Sequence, residues 1–316
     1  MKNIDYKNCF KIENLRDFDL GQTLECGQCF HYEKLDENEY GVVAYDKLLH
    51  IMQKEDELYF LNVSDPTDGL NWIKYFDLSR DYGLIKDTLI KKDEKLKEAI
   101  EDKGGVRILN QEFSETLMSF IISQNKQIPQ IKKIVGDISK KYGKKLGRIN
   151  GISFYSFPDI DALNKISEAD YRKLKTGFRA PYLKDASEKM NEMIFVPPQV
   201  LTGHEVIDFK TKFNKREAND GFIKYRLKNM DYDNALNFLK EIKGVGDKVA
   251  NCVLLFSLGY RSSFPIDVWI KRIMEDMYFE GKDTDKATIR KFAEEKYGEY
   301  AGYAQQYIFF HGRDNK

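Results

Sequence analysis

The apolar positions change period along the chain. Between Asp19 and Val63 they come in short runs, Cys29 to Tyr32, Tyr40 to Tyr45, Lys47 to Met52 and Leu58 to Val63, broken by polar turns such as Lys54-Glu55-Asp56-Glu57. Short, alternating runs between polar breaks predict an antiparallel sheet. After Ser64-Asp65-Pro66-Thr67-Asp68-Gly69 the spacing becomes helical and stays mostly so to the end. The expected fold class is therefore α+β, with an N-terminal antiparallel sheet domain and a mainly α-helical remainder. Gly104-Gly105 is the expected boundary, giving a sheet-containing domain over 1–104 and a helical region over 105–316. Within the second part, Phe113 to Ile122 predicts an apolar helix ending in the polar cluster Ser123-Gln124-Asn125-Lys126-Gln127. A basic amphipathic helix follows, and Gly177-Phe178-Arg179-Ala180 opens another. Phe195 to Tyr225 holds Pro197-Pro198 and many charges with little periodicity, which predicts an irregular insertion. Asp285 to Phe310 reads as a last long helical region.

The stretch richest in chemistry is Leu239 to Met277. Leu236, Leu239 and Ile242 on one side of Gly244-Val245-Gly246, and Val249, Val253 and Phe256 on the other, predict two amphipathic helices around a tight hairpin. Such a hairpin turns backbone N–H groups and a helix N-terminus outward, an arrangement suited to a phosphate. Lys248 falls in the first turn of the second helix, where it serves either as a phosphate contact or as a nucleophile. Phe264-Pro265-Ile266-Asp267 then precedes a helix containing Val268, Ile270 and Ile273, so Asp267 is placed to cap it.

Charge and cysteines narrow the picture. With 51 basic and 51 acidic residues the chain does not coat nucleic acid by bulk charge, and any DNA binding must be local. Lys132, Lys133, Lys140, Lys141, Lys144, Lys145 and Arg148 form the densest basic stretch, either a solvated face or a phosphate site. Four cysteines are too few and scattered for a disulfide framework. Cys26-Gly27-Gln28-Cys29 has C-x-x-C spacing, but it lacks a second ligand pair for zinc and precedes a strand-like run rather than opening a helix. No metal site is expected. Without a membrane-spanning run or signal-peptide core, the expectation is a cytoplasmic or nucleoid-associated intracellular protein.

At Lys243-Gly244-Val245-Gly246-Asp247-Lys248 and Pro265-Ile266-Asp267 the sequence resembles the helix-hairpin-helix, Gly-Pro-Asp superfamily of DNA base-excision glycosylases. Four further segments, Gly27-Gln28-Cys29-Phe30, Gly105-Val106-Arg107-Ile108-Leu109, Ser119-Phe120-Ile121-Ile122-Ser123-Gln124-Asn125, and Ala301-Gly302-Tyr303-Ala304-Gln305 with Phe309, resemble its 8-oxoguanine branch. The cysteine cluster of the endonuclease III branch is absent. The resemblance implies that Lys248 and Asp267 are catalytic. It implies that the Gly27 carbonyl accepts the N7–H peculiar to 8-oxoguanine, that Phe309 and Cys252 sandwich the flipped base, and that Gln305 reads its Watson–Crick edge. A carbonyl facing N7 suits the damaged base and repels the lone pair of guanine. Gly244 and Gly246 of the hairpin, Asn125, Gln130, Phe178, Arg179 and Trp269 are expected to contact DNA.

Three positions depart from the human-type pattern. Gln130 stands for an arginine that reads the opposite cytosine, Phe178 for a wedging tyrosine, and Trp269 for a histidine after the catalytic aspartate. The implied activity is a bifunctional glycosylase and lyase acting on 8-oxoguanine in duplex DNA through base flipping, a lysine Schiff base and β-elimination. Loss of the arginine fork implies a relaxed preference for the opposite base. No organic cofactor is expected, though the resemblance suggests a monovalent cation at the hairpin carbonyls. The expected partner is duplex DNA, with no membrane and a monomeric state. A glycosylase for another damaged base, and a non-catalytic DNA-binding module, are the alternatives.

Overall fold

The computed structural model describes residues 9–195 and 215–314. The expected sheet is present, with five antiparallel strands: β1 (Phe10–Ile12), β2 (Tyr32–Asp36), β3 (Glu39–Ala44), β4 (Lys47–Lys54) and β5 (Glu57–Phe60), in spatial order β1-β5-β4-β3-β2. Short turns set its register. Tyr45 and Asp46, both with positive φ, close a two-residue turn between β3 and β4, the conformation that matches strand twist. Phe10 lies opposite Phe60 across β1 and β5, with ring centroids 5.7 Å apart. The first of the expected strands is displaced: Cys29 to Phe30 is a buried turn, and pairing begins at Tyr32. A six-residue helix, Leu20–Glu25, precedes that turn, its N-terminus capped by Asp19 through the Gln22 N–H at 2.7 Å.

Beyond the sheet the chain is mostly helical, and aspartates begin many of the helices. Asp65, Asp81, Asp159, Asp231, Asp267 and Asp285 each accept a backbone N–H in the first turn. One exception interrupts the helical half: Lys145–Ile149 and Ile152–Tyr155 pair as a hairpin closed by Asn150-Gly151, both residues at positive φ. The basic stretch is thus split between the Ile128–Tyr142 helix and this hairpin. Of the expected irregular insertion, Phe195 to Tyr225, residues 215–225 belong instead to the Lys215–Lys228 helix, whereas 196–214 lie outside the described residues.

Two compact units partition the chain. One comprises Met1–Val42, Leu49–Asn110 and Leu254–Lys316, and the other Val43–Leu48 and Gln111–Val253. The tip of the β3–β4 hairpin groups with the second unit, where the Tyr45 N–H donates to Glu112 Oε2 at 2.8 Å. In the first unit the Ala301–Asp314 helix is buried from Ala301 through Ile308. In the second, the Phe113–Ser123 helix is buried along nearly its whole length. Among the described residues no helix is long and apolar enough to cross a membrane.

Candidate active site

In the second unit the predicted hairpin forms between the Tyr232–Lys240 and Asp247–Val253 helices. Its apolar flanks, Leu236, Leu239, Ile242, Val249 and Val253, are buried as their spacing requires. Gly244 has φ of 80°, and a Cβ there would run into the Tyr182 ring, so the turn needs glycine on both counts. The hairpin is fastened at three points. The Lys243 N–H donates to Asp185 Oδ2 at 2.8 Å, Gln124 Nε2 donates to the Gly244 carbonyl at 3.2 Å, and Lys240 Nζ pairs with Asp247 at 2.7 Å. Asn251 braces the second helix by donating to the Asp247 carbonyl at 2.7 Å while accepting from Tyr232 Oη at 2.5 Å.

Lys248 is half-buried in the first turn of that helix. Its Nζ lies 3.3 Å from Ser123 Oγ and 5.0 Å from the centroid of the Phe120 ring. Among the described residues of its own unit it makes no ion pair, so its Nζ rests on a hydroxyl and an aromatic face. Cys252 is buried four residues on, on the same face of the helix. Asn125 is exposed with φ of 50°, the left-handed residue just past the Phe113–Ser123 helix. Gln130 is also exposed, and its Oε1 accepts from the Gln127 N–H at 3.3 Å. Phe178 is 49% exposed, its ring edge-on to Tyr182 at 6.1 Å.

Arg179, expected to contact DNA, is buried, with Nη2 donating to the Gln124 carbonyl and Nη1 to the Thr176 carbonyl at 3.1 Å. Its guanidinium sits 4.2 Å from the Phe178 ring centroid. In this structure Arg179 therefore holds the corner that presents Asn125 and Phe178, rather than forming part of the exposed surface.

The first unit contains the other candidate residues. Gly27 is half-buried with φ of 90°, in the turn after Leu20–Glu25. The neighbouring Gln28 fixes that turn. It is fully buried, its Nε2 donates to the carbonyls of Thr23 at 2.8 Å and Arg107 at 2.7 Å, and its Oε1 accepts from the Leu109 N–H at 2.9 Å. Arg107 in turn spends its guanidinium on the carbonyls of Arg16, Asp17, Asp77 and Arg80, at 2.8 to 3.1 Å, over the face of Tyr82. Burial holds its pKa below the ordinary arginine value. The two resemblance segments around Gly27 and Arg107 are thus one hydrogen-bonded structure. Cys26 and Cys29 are buried beside it, with thiols directed at the Thr23 and Leu24 carbonyls. Burial pushes the Cys26 thiol up to about 11, which disfavours the reactive thiolate. Among the described residues no group of three or more His, Cys, Asp or Glu is arranged to hold a metal ion.

Asp267 caps the Val268–Tyr278 helix, its Oδ1 accepting from the Ile270 N–H at 2.8 Å. The Pro265 carbonyl, two residues earlier, accepts from Gln305 Nε2 at 3.2 Å, so the Pro-x-Asp segment is bonded to the Ala301–Asp314 helix. Gln305 is buried, and Gln306 Nε2 donates to its Oε1 at 2.6 Å. Phe309 is half-buried between the buried Ile308 and Phe310. Trp269 is 44% exposed beside Val268 at 58%. Arg313 Nη1 donates to the Glu25 carbonyl at 3.1 Å, tying the same helix to the turn that holds Gly27. The structure thus joins Asp267, Gln305 and the Gly27 turn within one unit, and Lys248, Cys252 and the hairpin within the other. The anchoring residues Gln28, Ser123, Tyr182, Gln306 and Arg313 were not foreseen. Of these, only Gln28 and Ser123 sat inside a recognised segment.

Comparison with known proteins divides the chain differently from the two compact units. Residues 11–117 match the model for the N-terminal domain of 8-oxoguanine DNA glycosylase, and residues 118–297 match that for HhH-GPD superfamily base excision DNA repair proteins. The N-glycosylase/DNA lyase OGG1 of Arabidopsis thaliana is 28% identical over 92% of this chain and 76% of its own. Among solved structures, MBOgg1 bound to a low-affinity DNA ligand is 36% identical, with a TM-score of 0.83 over 98% of this chain and 97% of that one. The 8-oxoguanine glycosylase/lyase of Clostridium acetobutylicum, in complex with duplex DNA containing cytosine opposite 8-oxoguanine, is 34% identical, with a TM-score of 0.83 over 98% and 96%. The chain belongs to the 8-oxoguanine DNA glycosylase family, within the HhH-GPD superfamily of base excision DNA repair proteins.

Proposed function

We propose that this protein excises 8-oxoguanine from duplex DNA and then nicks the strand, with Lys248 as the nucleophile. The enzyme class, a DNA N-glycosylase with DNA-(apurinic or apyrimidinic site) lyase activity, follows from its family and relatives. The observation that carries the lysine's role is its setting: half-buried after the hairpin, against a hydroxyl and an aromatic ring, with no ion pair among the described residues of its unit.

In the proposed sequence the damaged nucleotide is flipped out of the helix, at a cost of a few kcal/mol in stacking and pairing. The hairpin N–H groups hold a neighbouring phosphate, and Asn125 enters the gap. Neutral Lys248 attacks C1′ as the bond from C1′ to N9 breaks, and the bonding electrons leave with the base, which takes up a proton. The Asp267 carboxylate stabilises the positive charge that grows on the sugar. Its capping bond uses Oδ1 and holds it in place for that task. The secondary amine then opens the sugar to a Schiff base. Removal of a C2′ proton expels the 3′ phosphate by β-elimination. The Gly27 carbonyl would discriminate at N7, and Phe309 and Cys252 would stack on the base. The hairpin carbonyls, Gly244 among them, would supply oxygen donors to a monovalent cation, and no organic cofactor enters the scheme.

Borohydride reduces a Schiff base to a stable amine. It should trap the wild-type protein on an 8-oxoguanine duplex, whereas Lys248→Gln should yield no adduct while keeping its fold and DNA affinity. An undiminished adduct in Lys248→Gln would overturn the assignment. An untrappable wild-type protein that still binds DNA would favour a binding module. Because Gln130 replaces an arginine fork, excision should proceed at comparable rates opposite all four bases; a strong cytosine preference would refute that part.

A further inference from the structure

The base-reading helix contains a second amide that the proposed chemistry leaves without a task. Gln306 is only 3% exposed, its Nε2 donates to Gln305 Oε1 at 2.6 Å, and its own Oε1 has no partner among the described residues. A buried amide oxygen left unsatisfied is costly, so this arrangement calls for an explanation. On the other side, the Pro265 carbonyl can only accept, and it takes Gln305 Nε2 at 3.2 Å. Gln305 is therefore held between a donor on its oxygen and an acceptor on its nitrogen, and both contacts favour one of the two orientations of its amide.

We propose that Gln306 is a positioning residue that fixes the polarity of Gln305 and thereby decides which purine edge the pocket accepts. The inference rests on the reading of Gln305 as the Watson–Crick contact. Amide orientation matters because the two edges are opposites. 8-Oxoguanine offers N1–H and N2–H donors, which need the amide oxygen. 8-Oxoadenine offers an N1 acceptor, which needs the amide nitrogen. An oxygen has two lone pairs, so Gln305 Oε1 can take Gln306 on one and the base on the other. Without Gln306, only the 3.2 Å bond to Pro265 resists a flip, and discrimination weakens.

The test compares single-turnover excision of 8-oxoguanine and 8-oxoadenine from otherwise identical duplexes by wild type, Gln306→Leu and Gln306→Met. Cleavage of a preformed abasic site serves as the control, since it needs no base reading. Both variants should lower the 8-oxoguanine to 8-oxoadenine ratio by about tenfold or more, mostly through the rate at saturating enzyme, with abasic cleavage unchanged. A ratio within twofold of wild type in both variants would overturn the role of Gln306. Equal losses on all three substrates, or failure of both variants to fold, would make Gln306 a structural residue and overturn it as well. A wild-type protein that cleaves abasic sites but excises no 8-oxoguanine would instead overturn the underlying substrate reading.

Discussion

The two units use their polar side chains in opposite ways. In the unit that holds Lys248, the candidate DNA contacts are loosely committed: Asn125 and Gln130 are exposed, Phe178 is half-exposed, and Lys248 leans on one hydroxyl at 3.3 Å. In the unit that holds Asp267, Gln28, Arg107 and Gln305 are buried, with N–H groups directed at named carbonyls. The proposed function accounts for the difference. A surface that grips a phosphate backbone works through charge and outward N–H groups, and its side chains can settle on contact. A surface that separates one purine from another must have its acceptors and donors fixed beforehand, because discrimination comes from the penalty of an unpaired buried group.

The sharpest way to break this comparison is at Asp267, which belongs to the rigid unit yet is assigned chemistry. Asn caps a helix about as well as Asp, so Asp267→Asn should keep the Val268–Tyr278 helix and its melting temperature. If the carboxylate stabilises the transition state, excision should nevertheless fall by about 10²- to 10³-fold, in line with removal of one preorganised electrostatic group. Unchanged single-turnover excision in Asp267→Asn would reduce Asp267 to a cap and leave the unit purely structural.

The next largest effect is on stability. Gln28→Leu keeps the volume but strands the Arg107 carbonyl and the Leu109 N–H and takes the amide donor from the Thr23 carbonyl, each of which pairs with Gln28 at 2.7 to 2.9 Å. At about 1 to 3 kcal/mol for each unsatisfied buried group, and with some relaxation, a loss of about 3 kcal/mol is expected in urea denaturation. A loss below 1 kcal/mol would mean that the rigidity of the Gly27 turn comes from elsewhere.

Those two sites also mark what the sequence revealed and what it hid. The hairpin was legible because its information is local: two glycines between apolar runs of helical spacing, and a Pro-x-Asp whose aspartate caps the following helix. The Lys145–Ile149 and Ile152–Tyr155 hairpin was missed although Asn150-Gly151 is a strong two-residue turn signal, because the surrounding helical pattern masked it. Gln28 and Arg107 were not legible in their structural roles. All but one of their hydrogen-bond partners lie 27 to 91 residues away, and nothing in local periodicity says that a glutamine inside a turn will be fully buried. The burial of Arg179 was hidden for the same reason, because the carbonyl of Gln124 that claims it lies 55 residues upstream.

A smaller effect should follow from perturbing the hairpin. Gly244→Ala places a Cβ against the Tyr182 ring at φ of 80°, a strain of about 1 to 2 kcal/mol from the backbone alone. Most of that strain should appear as weaker binding to an abasic-site duplex, about five- to twentyfold in Kd, rather than as lost base discrimination. A changed preference among damaged bases would mean that the hairpin reads more than phosphate.

The mildest change asks how adaptable the loosely committed surface is. Gln130 occupies the first turn of the Ile128–Tyr142 helix, exposed, with its Oε1 used only at 3.3 Å by the Gln127 N–H. Gln130→Arg gives up that long bond and adds a fork of donors with no acceptor, the group that pairs with the acceptors of cytosine. Since the side chain leaves no buried partner behind, stability should change by less than about 0.5 kcal/mol. A new charge-assisted bond to an unpaired cytosine should raise the ratio of 8-oxoguanine excision opposite cytosine to that opposite adenine by about threefold to tenfold, toward the lower end of what one base contact contributes. If the ratio stays at the wild-type value, neither Gln130 nor its replacement faces the opposite base, and the selectivity of this surface must be sought at the exposed Phe178 instead.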